Sequence, residues 1–180
     1  MADVTVLVLV GSLRAASINR QLADLAVENA PDGVALRIFD RLGELPFYNE
    51  DIDTAAVAEP VVALRAAAAE ADATLVVTPE YNGSIPGVLK NAVDWLSRPY
   101  GNGALKGKPL AVVGAALGQY GGVWAHDETR KSFGIAGPRV VDDLTLSVPT
   151  KSLDGKHPRE NAEVSAALRD IVGKLAAEAG

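Results

Sequence analysis

The run Val4-Thr5-Val6-Leu7-Val8-Leu9-Val10, followed at once by Gly11-Ser12-Leu13-Arg14-Ala15-Ala16-Ser17-Ile18-Asn19-Arg20, decides the fold. The first seven residues are uncharged and mostly β-branched, as in a strand covered on both faces. Gly11 ends the run. Ile18, Leu22, Leu25 and Ala26 then recur on one face of a helix over residues 17–29. A buried strand that passes through a short polar loop into a helix is the opening of a βαβ unit.

The same alternation continues outward. Short apolar runs at residues 34–39, 74–78, 109–115 and 140–148 read as further strands, the last nearest an edge because it carries Asp142 and Asp143. Helical patterns fall between them at 55–71, 86–97, 120–133 and 161–178. Pro60 is tolerable only in a first turn, and Pro86 suits a first helical position. Trp95 shares an apolar helix face with Val88, Ala92 and Leu96, which places it in a core or an interface. Five strands alternating with helices predict an α/β fold, a doubly wound parallel sheet in one domain spanning 1–180. Irregular stretches are expected at 41–54 and 100–108, and a charged surface loop at 151–159.

Composition narrows the chemistry. The 180 residues include 17 basic and 23 acidic ones, a formal charge of −6, which argues against a nucleic-acid or anionic-membrane binder. With no cysteine, disulfides, thiolate metal sites and thiol redox chemistry are excluded. His126 and His157 lie too far apart for a ligand pair at metal-site spacing, and no metal is expected. His126, beside Asp127 and Glu128, reads as a surface histidine. The N-terminal run lacks a basic leader and carries Asp3. It is also far shorter than a membrane span, so a cytoplasmic protein is expected.

In an open α/β sheet, ligands bind beyond the carboxyl ends of the strands. The loop after the first strand offers donors at Ser12, Arg14, Ser17 and Asn19, opening into a helix N-terminus that attracts a phosphate. Taken singly, Ser17 is a helix cap and Arg14 a surface residue; the clustering of four donors at this position favours a site. The loop is neither a P-loop nor a Gly-x-Gly-x-x-Gly dinucleotide loop. After the third strand comes Pro79-Glu80-Tyr81-Asn82-Gly83-Ser84-Ile85-Pro86-Gly87, whose backbone can line a flat heterocycle. After the fourth comes Gly114 to Gly122, where glycines allow close approach of backbone to ligand. A phosphate cradle facing a backbone-lined slot suits a mononucleotide with a large planar base. Trp124 is a candidate for its rim.

The chain resembles the NAD(P)H-dependent FMN reductases of flavodoxin-like fold, which include bacterial quinone and chromate reductases. The resemblance rests on Gly11-Ser12-Leu13-Arg14-x-x-Ser17-x-Asn19-Arg20 and on Pro79-Glu80-Tyr81-Asn82-Gly83-Ser84-x-Pro86-Gly87-x-Leu89-Lys90-Asn91-x-x-Asp94-Trp95. It extends to Leu45-Pro46-Phe47-Tyr48-Asn49-Glu50-Asp51 and to Gly121-Gly122. It implies a five-stranded sheet in the order 2-1-3-4-5. It also implies FMN as cofactor, with its phosphate on Ser12, Arg14, Ser17 and Asn19. Pro79, Glu80, Tyr81, Asn82, Gly83 and Ser84 would line the isoalloxazine and ribityl, with the Asn82 and Gly83 N–H groups stabilising negative charge on the reduced ring. The third loop of the family often begins with serine. Here Ala115 and Ala116 stand there, so any contact must come from backbone. The implied reaction passes hydride from NADPH or NADH to FMN and then electrons to a quinone, flavin, azo or metal-ion acceptor, without a protein nucleophile or base. A homodimer or homotetramer is implied as well. Two alternatives are a flavodoxin-type electron carrier, whose phosphate loop differs from this one, and a flavin-free binding protein of the same fold.

Overall fold

The computed structural model describes residues 4–180; Asp3, read above as arguing against a basic leader, lies outside them. Strands β1 (Val4–Val10), β2 (Val34–Ile38), β3 (Ala73–Val77), β4 (Pro109–Ala116) and β5 (Arg139–Pro149) pair in the order β2-β1-β3-β4-β5. All four pairings are parallel. Helices α1 (Ile18–Glu28), α2 (Glu59–Glu70), α3 (Gly87–Leu96), α4 (Val123–Ala136) and α5 (Ala162–Ala177) cover the two faces. This is the flavodoxin-like, doubly wound sheet that the sequence predicts. Among the described residues no helix is long and apolar enough to cross a membrane.

The opening strand shows why the run is continuous. Val6, Val8 and Val10 point to one side, where they pack with Leu22 and Leu25 of α1 and Leu168 and Val172 of α5. Leu7 and Leu9 point to the other, into a core with Leu64 of α2 and Leu89 and Trp95 of α3. Successive side chains of a strand face opposite ways, so both must be apolar when both faces are covered. Trp95 is fully buried, as a core residue.

Element ends move for identifiable reasons. Ser17 lies outside α1 as its cap, in extended backbone, and its side chain accepts from the Asn19 N–H. α2 starts four residues later than its pattern, which puts Pro60 in the first turn. α4 starts at Val123 rather than 120 because Gly121 and Gly122 are left-handed (φ 63° and 96°) and cannot continue a right-handed helix. β5 pairs with β4 through a register shift between Leu110/Val140 and Val112/Thr145, which accommodates exposed Asp142 and Asp143 on an edge strand. Stretch 41–54 contains two short 3-10 turns. Asn91 of α3 holds this stretch by donating to the Pro46 carbonyl (3.0 Å) and accepting from the Tyr48 N–H (2.8 Å).

Candidate functional site

Where the strand order reverses between β1 and β3, a cleft of about 370 Å³ opens at the carboxyl ends of the strands. Ser12, Arg14, Ser17 and Asn19 line it from the β1–α1 loop, and Pro79, Glu80 and Tyr81 from the β3–α3 loop. The β4–α4 loop adds Ala115 to Gly118, and Thr150 closes it beyond β5. Seven of the ten expected site residues therefore meet in one cleft. Asn82, Gly83 and Ser84 stand beyond Tyr81 and do not line it. Tyr81 and Ser84 exchange backbone hydrogen bonds (3.1 Å each), with Asn82 (φ 53°) and Gly83 (φ 74°) at the tip. This is the two-residue turn that favours Asn-Gly, because both central residues need positive φ. The side chain of Trp124 packs against Gly83, and Tyr120 lies 6.0 Å from Trp124 between ring centres, so two exposed aromatic rings stand beside the Tyr81–Ser84 turn.

The polar groups divide into committed and free ones. Asn19 is buried and spends its amide on one residue: Nδ2 donates to the Ala115 carbonyl (2.9 Å), and the Ala115 N–H donates to Oδ1 (2.8 Å). It thus staples the start of α1 to the end of β4, which also removes the Ala115 N–H from the backbone donors expected for a ligand. Glu80 accepts from the Ala125 N–H (3.2 Å) and caps the first turn of α4, where Gly122 brings no side chain. Arg20 is paired with Asp24 (2.9 Å) and with Asp40. Arg14 differs. It is exposed, has no acidic partner among the described residues, and makes only a 3.3 Å bond to the Ala16 carbonyl. In the same loop the N–H groups of Ser12, Leu13, Ala15 and Ala16 have no backbone acceptor among the described residues. One unpaired guanidinium, a serine hydroxyl and several free N–H groups before a helix fit a phosphate monoester. The volume lies within the range of small-molecule and cofactor sites.

Behind the cleft lies a residue that its charged neighbours disguised. His126 is fully buried, not on the surface. Its Nδ1 is 2.8 Å from Ser147 Oγ and its Nε2 is 3.3 Å from the Thr78 carbonyl. A carbonyl only accepts, so Nε2 carries the proton and Nδ1 accepts from Ser147. Burial is the largest cause that lowers its pKa, to about 4, and Arg130 lowers it further; the Thr78 bond and Asp127 oppose this. The signal was in the spacing: Ala125, His126, Thr129 and Phe133 form the buried stripe of α4. Thr150 carried only the topological hint that it follows a strand end.

With this geometry in place, the likeness to known proteins can be read. A family model described as NADPH-dependent FMN reductase matches residues 4–152. A quinone reductase of Pseudomonas putida is 48% identical over 171 residues, covering 95% of this chain and 84% of that protein. A 2-hydroxy-1,4-benzoquinone reductase of Burkholderia sp is 45% identical over 123 residues, 68% of this chain and 66% of that one. Among solved structures, the flavoenzyme NAD(P)H:(acceptor) oxidoreductase FerB from Paracoccus denitrificans has a TM-score of 0.82 at 31% identity, covering 96% of this chain and 97% of that one. The chain belongs to the NADPH-dependent FMN reductase family of oxidoreductases, flavodoxin-like enzymes that work with FMN and NAD(P)H.

Proposed function

We propose that the chain holds FMN in the cleft between β1 and β3 and uses it to reduce a small aromatic acceptor, a quinone first among them, with NADPH or NADH as donor. The observation that carries this is the division of charge where the β1–α1 loop enters α1: Arg20, in the first turn of α1, is paired with two aspartates, while Arg14, in the loop, lines the cleft with no acidic partner among the described residues. Arg14, Ser12, Ser17 and the free N–H groups of the loop hold the phosphate. Asn19 acts indirectly, by fixing the loop against Ala115.

When bound, FMN supplies the redox chemistry, taking hydride from the nicotinamide and handing electrons to the acceptor. The protein's part is position. Pro79, Glu80 and Tyr81 line the slot, and the Tyr81–Ser84 turn stands beyond it, so an Asn82 or Gly83 N–H group would act only on the outer edge of a bound ring. Tyr81, Tyr120 and Trp124 give the mouth an exposed aromatic rim on which a flat acceptor can stack. This rim favours quinones over metal ions. A homo-oligomer belongs to the same reading, because exposed Tyr100 and Ile135 border a second groove of about 450 Å³ between α3 and α4. A mass of only 18.7 kDa by light scattering would count against it.

The test is a visible spectrum of the purified protein, reconstituted with FMN, before and after anaerobic addition of NADPH or NADH and then of a benzoquinone. Loss of the oxidised flavin band with either nucleotide, and its return with the quinone, is expected. FMN uptake without bleaching by either nucleotide refutes the reductase.

A further inference from the structure

We propose that His126 is a positioning residue for the flavin site, one that sets the two facing loops of the cleft against each other without touching the ligand. The inference rests on the reading that this cleft holds FMN. The Thr78 carbonyl it binds belongs to the residue just after β3, and the next two residues, Pro79 and Glu80, line the cleft. The Ser147 hydroxyl it binds lies on β5, against whose backbone Gly121 packs so closely that a Cβ there would lie 2.6 Å from the Ser147 carbonyl carbon. The imidazole is thus the joint between the β3–α3 loop, the β4–α4 loop and the edge strand.

Two glycines make room for it. A Cβ on Gly114 would lie 2.0 Å from the Thr78 oxygen and 2.8 Å from His126 Nε2, and one on Gly122 would lie 3.2 Å from Nε2. Glu80 adds a second tie to the same helix turn, accepting from the Ala125 N–H beside His126. A buried imidazole costs more than an alkyl side chain of like size unless both nitrogens are bonded, and both are. Neither nitrogen is left to relay a proton to the cleft. Its contribution is geometric: it fixes where the Thr78–Pro79–Glu80 backbone stands.

The experiment uses full-length apoprotein and FMN itself. Wild type, His126→Leu, His126→Gln and Ser147→Ala are compared by FMN fluorescence titration and by visible circular dichroism of the bound flavin. Phe133→Leu, on the same buried stripe, controls for general core damage. Leucine makes neither bond, so FMN affinity should fall about tenfold, with an altered visible band. Glutamine can still donate to the Thr78 carbonyl, so it should restore affinity to within about threefold of wild type. Phe133→Leu should bind FMN as wild type does. Wild-type affinity and band shape in folded His126→Leu overturn the proposal, as does a glutamine variant no better than leucine. If His126→Leu does not fold, Ser147→Ala decides: an unchanged Kd and band overturn the proposal, and weaker binding with a changed band supports it. Failure of wild type to take up FMN sinks the parent reading instead, and is seen before any variant is compared.

Discussion

His126 makes an acid-stability prediction whose size follows from its burial. In the unfolded chain its imidazole titrates near the ordinary 6.5; in the fold, desolvation lowers this to about 4. Below pH 6.5 the unfolded chain takes up a proton that the native state refuses, so stability falls with pH. The contribution is intact above about 6.5, is lost progressively down to about 4, and changes no further below that. Each pH unit of separation is worth about 1.4 kcal/mol, so the full loss is ~3 kcal/mol, with ~2 kcal/mol gone by pH 5. That is a large share of a domain stability of about 5–15 kcal/mol. His126→Gln removes the titration and keeps a donor toward the Thr78 carbonyl. The assay is urea unfolding of apoprotein from pH 7.5 to 4.5, plotted as the difference between wild type and variant. Taking the difference cancels the carboxylates whose pKa values their arginines depress, Asp53 beside Arg65 and Glu59 beside Arg41. The wild type should lose ground to the variant with decreasing pH, by ~2 kcal/mol between pH 7 and 5. A flat difference over that range refutes the assigned neutral, buried state.

Three further predictions rest on the cleft. Arg14→Ala should weaken FMN binding by about 10- to 100-fold, the worth of charge-assisted hydrogen bonds to a phosphate, without changing apoprotein stability. Retained tight binding in a fluorescence titration would remove Arg14 from the phosphate site. Asn19→Ala strands the buried N–H and carbonyl of Ala115 and should destabilise the apoprotein by about 2–5 kcal/mol in urea, a cost that a merely ligand-facing asparagine would not carry. Gly114→Ala places a methyl group 2.0 Å from the Thr78 oxygen; it should lower the thermal midpoint steeply and loosen FMN together, and a wild-type melting curve would disprove that close approach.

What the sequence made legible follows the range over which each signal acts. The covering of β1 on both faces was readable because it is written in adjacent residues, as was the cap at Ser17. Helix starts were misplaced where a single backbone conformation overruled a hydrophobic pattern, as at Gly121 and Gly122 ahead of α4. His126 was misplaced because its immediate neighbours, Asp127 and Glu128, were given more weight than the helical stripe through Thr129 and Phe133. Its partners Thr78 and Ser147 lie 48 and 21 residues away, and local sequence does not mark them.

Arg14 in the first loop and Arg20 in the first turn of α1 show the limit most sharply. Arg14 and Arg20 both stand in the stretch where the topology predicts an anion; the resemblance singles out Arg14, and the residues themselves do not say why. Their difference arises in three dimensions. Arg20 lies one helical turn before Asp24, and the parallel pairing of β1 with β2 brings Asp40 to it from the end of β2, so two carboxylates answer one guanidinium. Arg14, in the loop itself, shares a groove with both aspartates but is paired with neither. A carboxylate pair beside a phosphate site repels the ligand, and Arg20 offsets one of the two negative charges of Asp24 and Asp40 while leaving the charge of Arg14 to the cleft. Arg20→Gln should therefore weaken FMN binding although Arg20 bonds to no ligand, and the loss should shrink as salt screens the two uncovered aspartates. A loss that persists when Asp24 and Asp40 are both replaced by asparagine would instead mean direct contact between Arg20 and the phosphate, and would reverse the roles assigned to the two arginines.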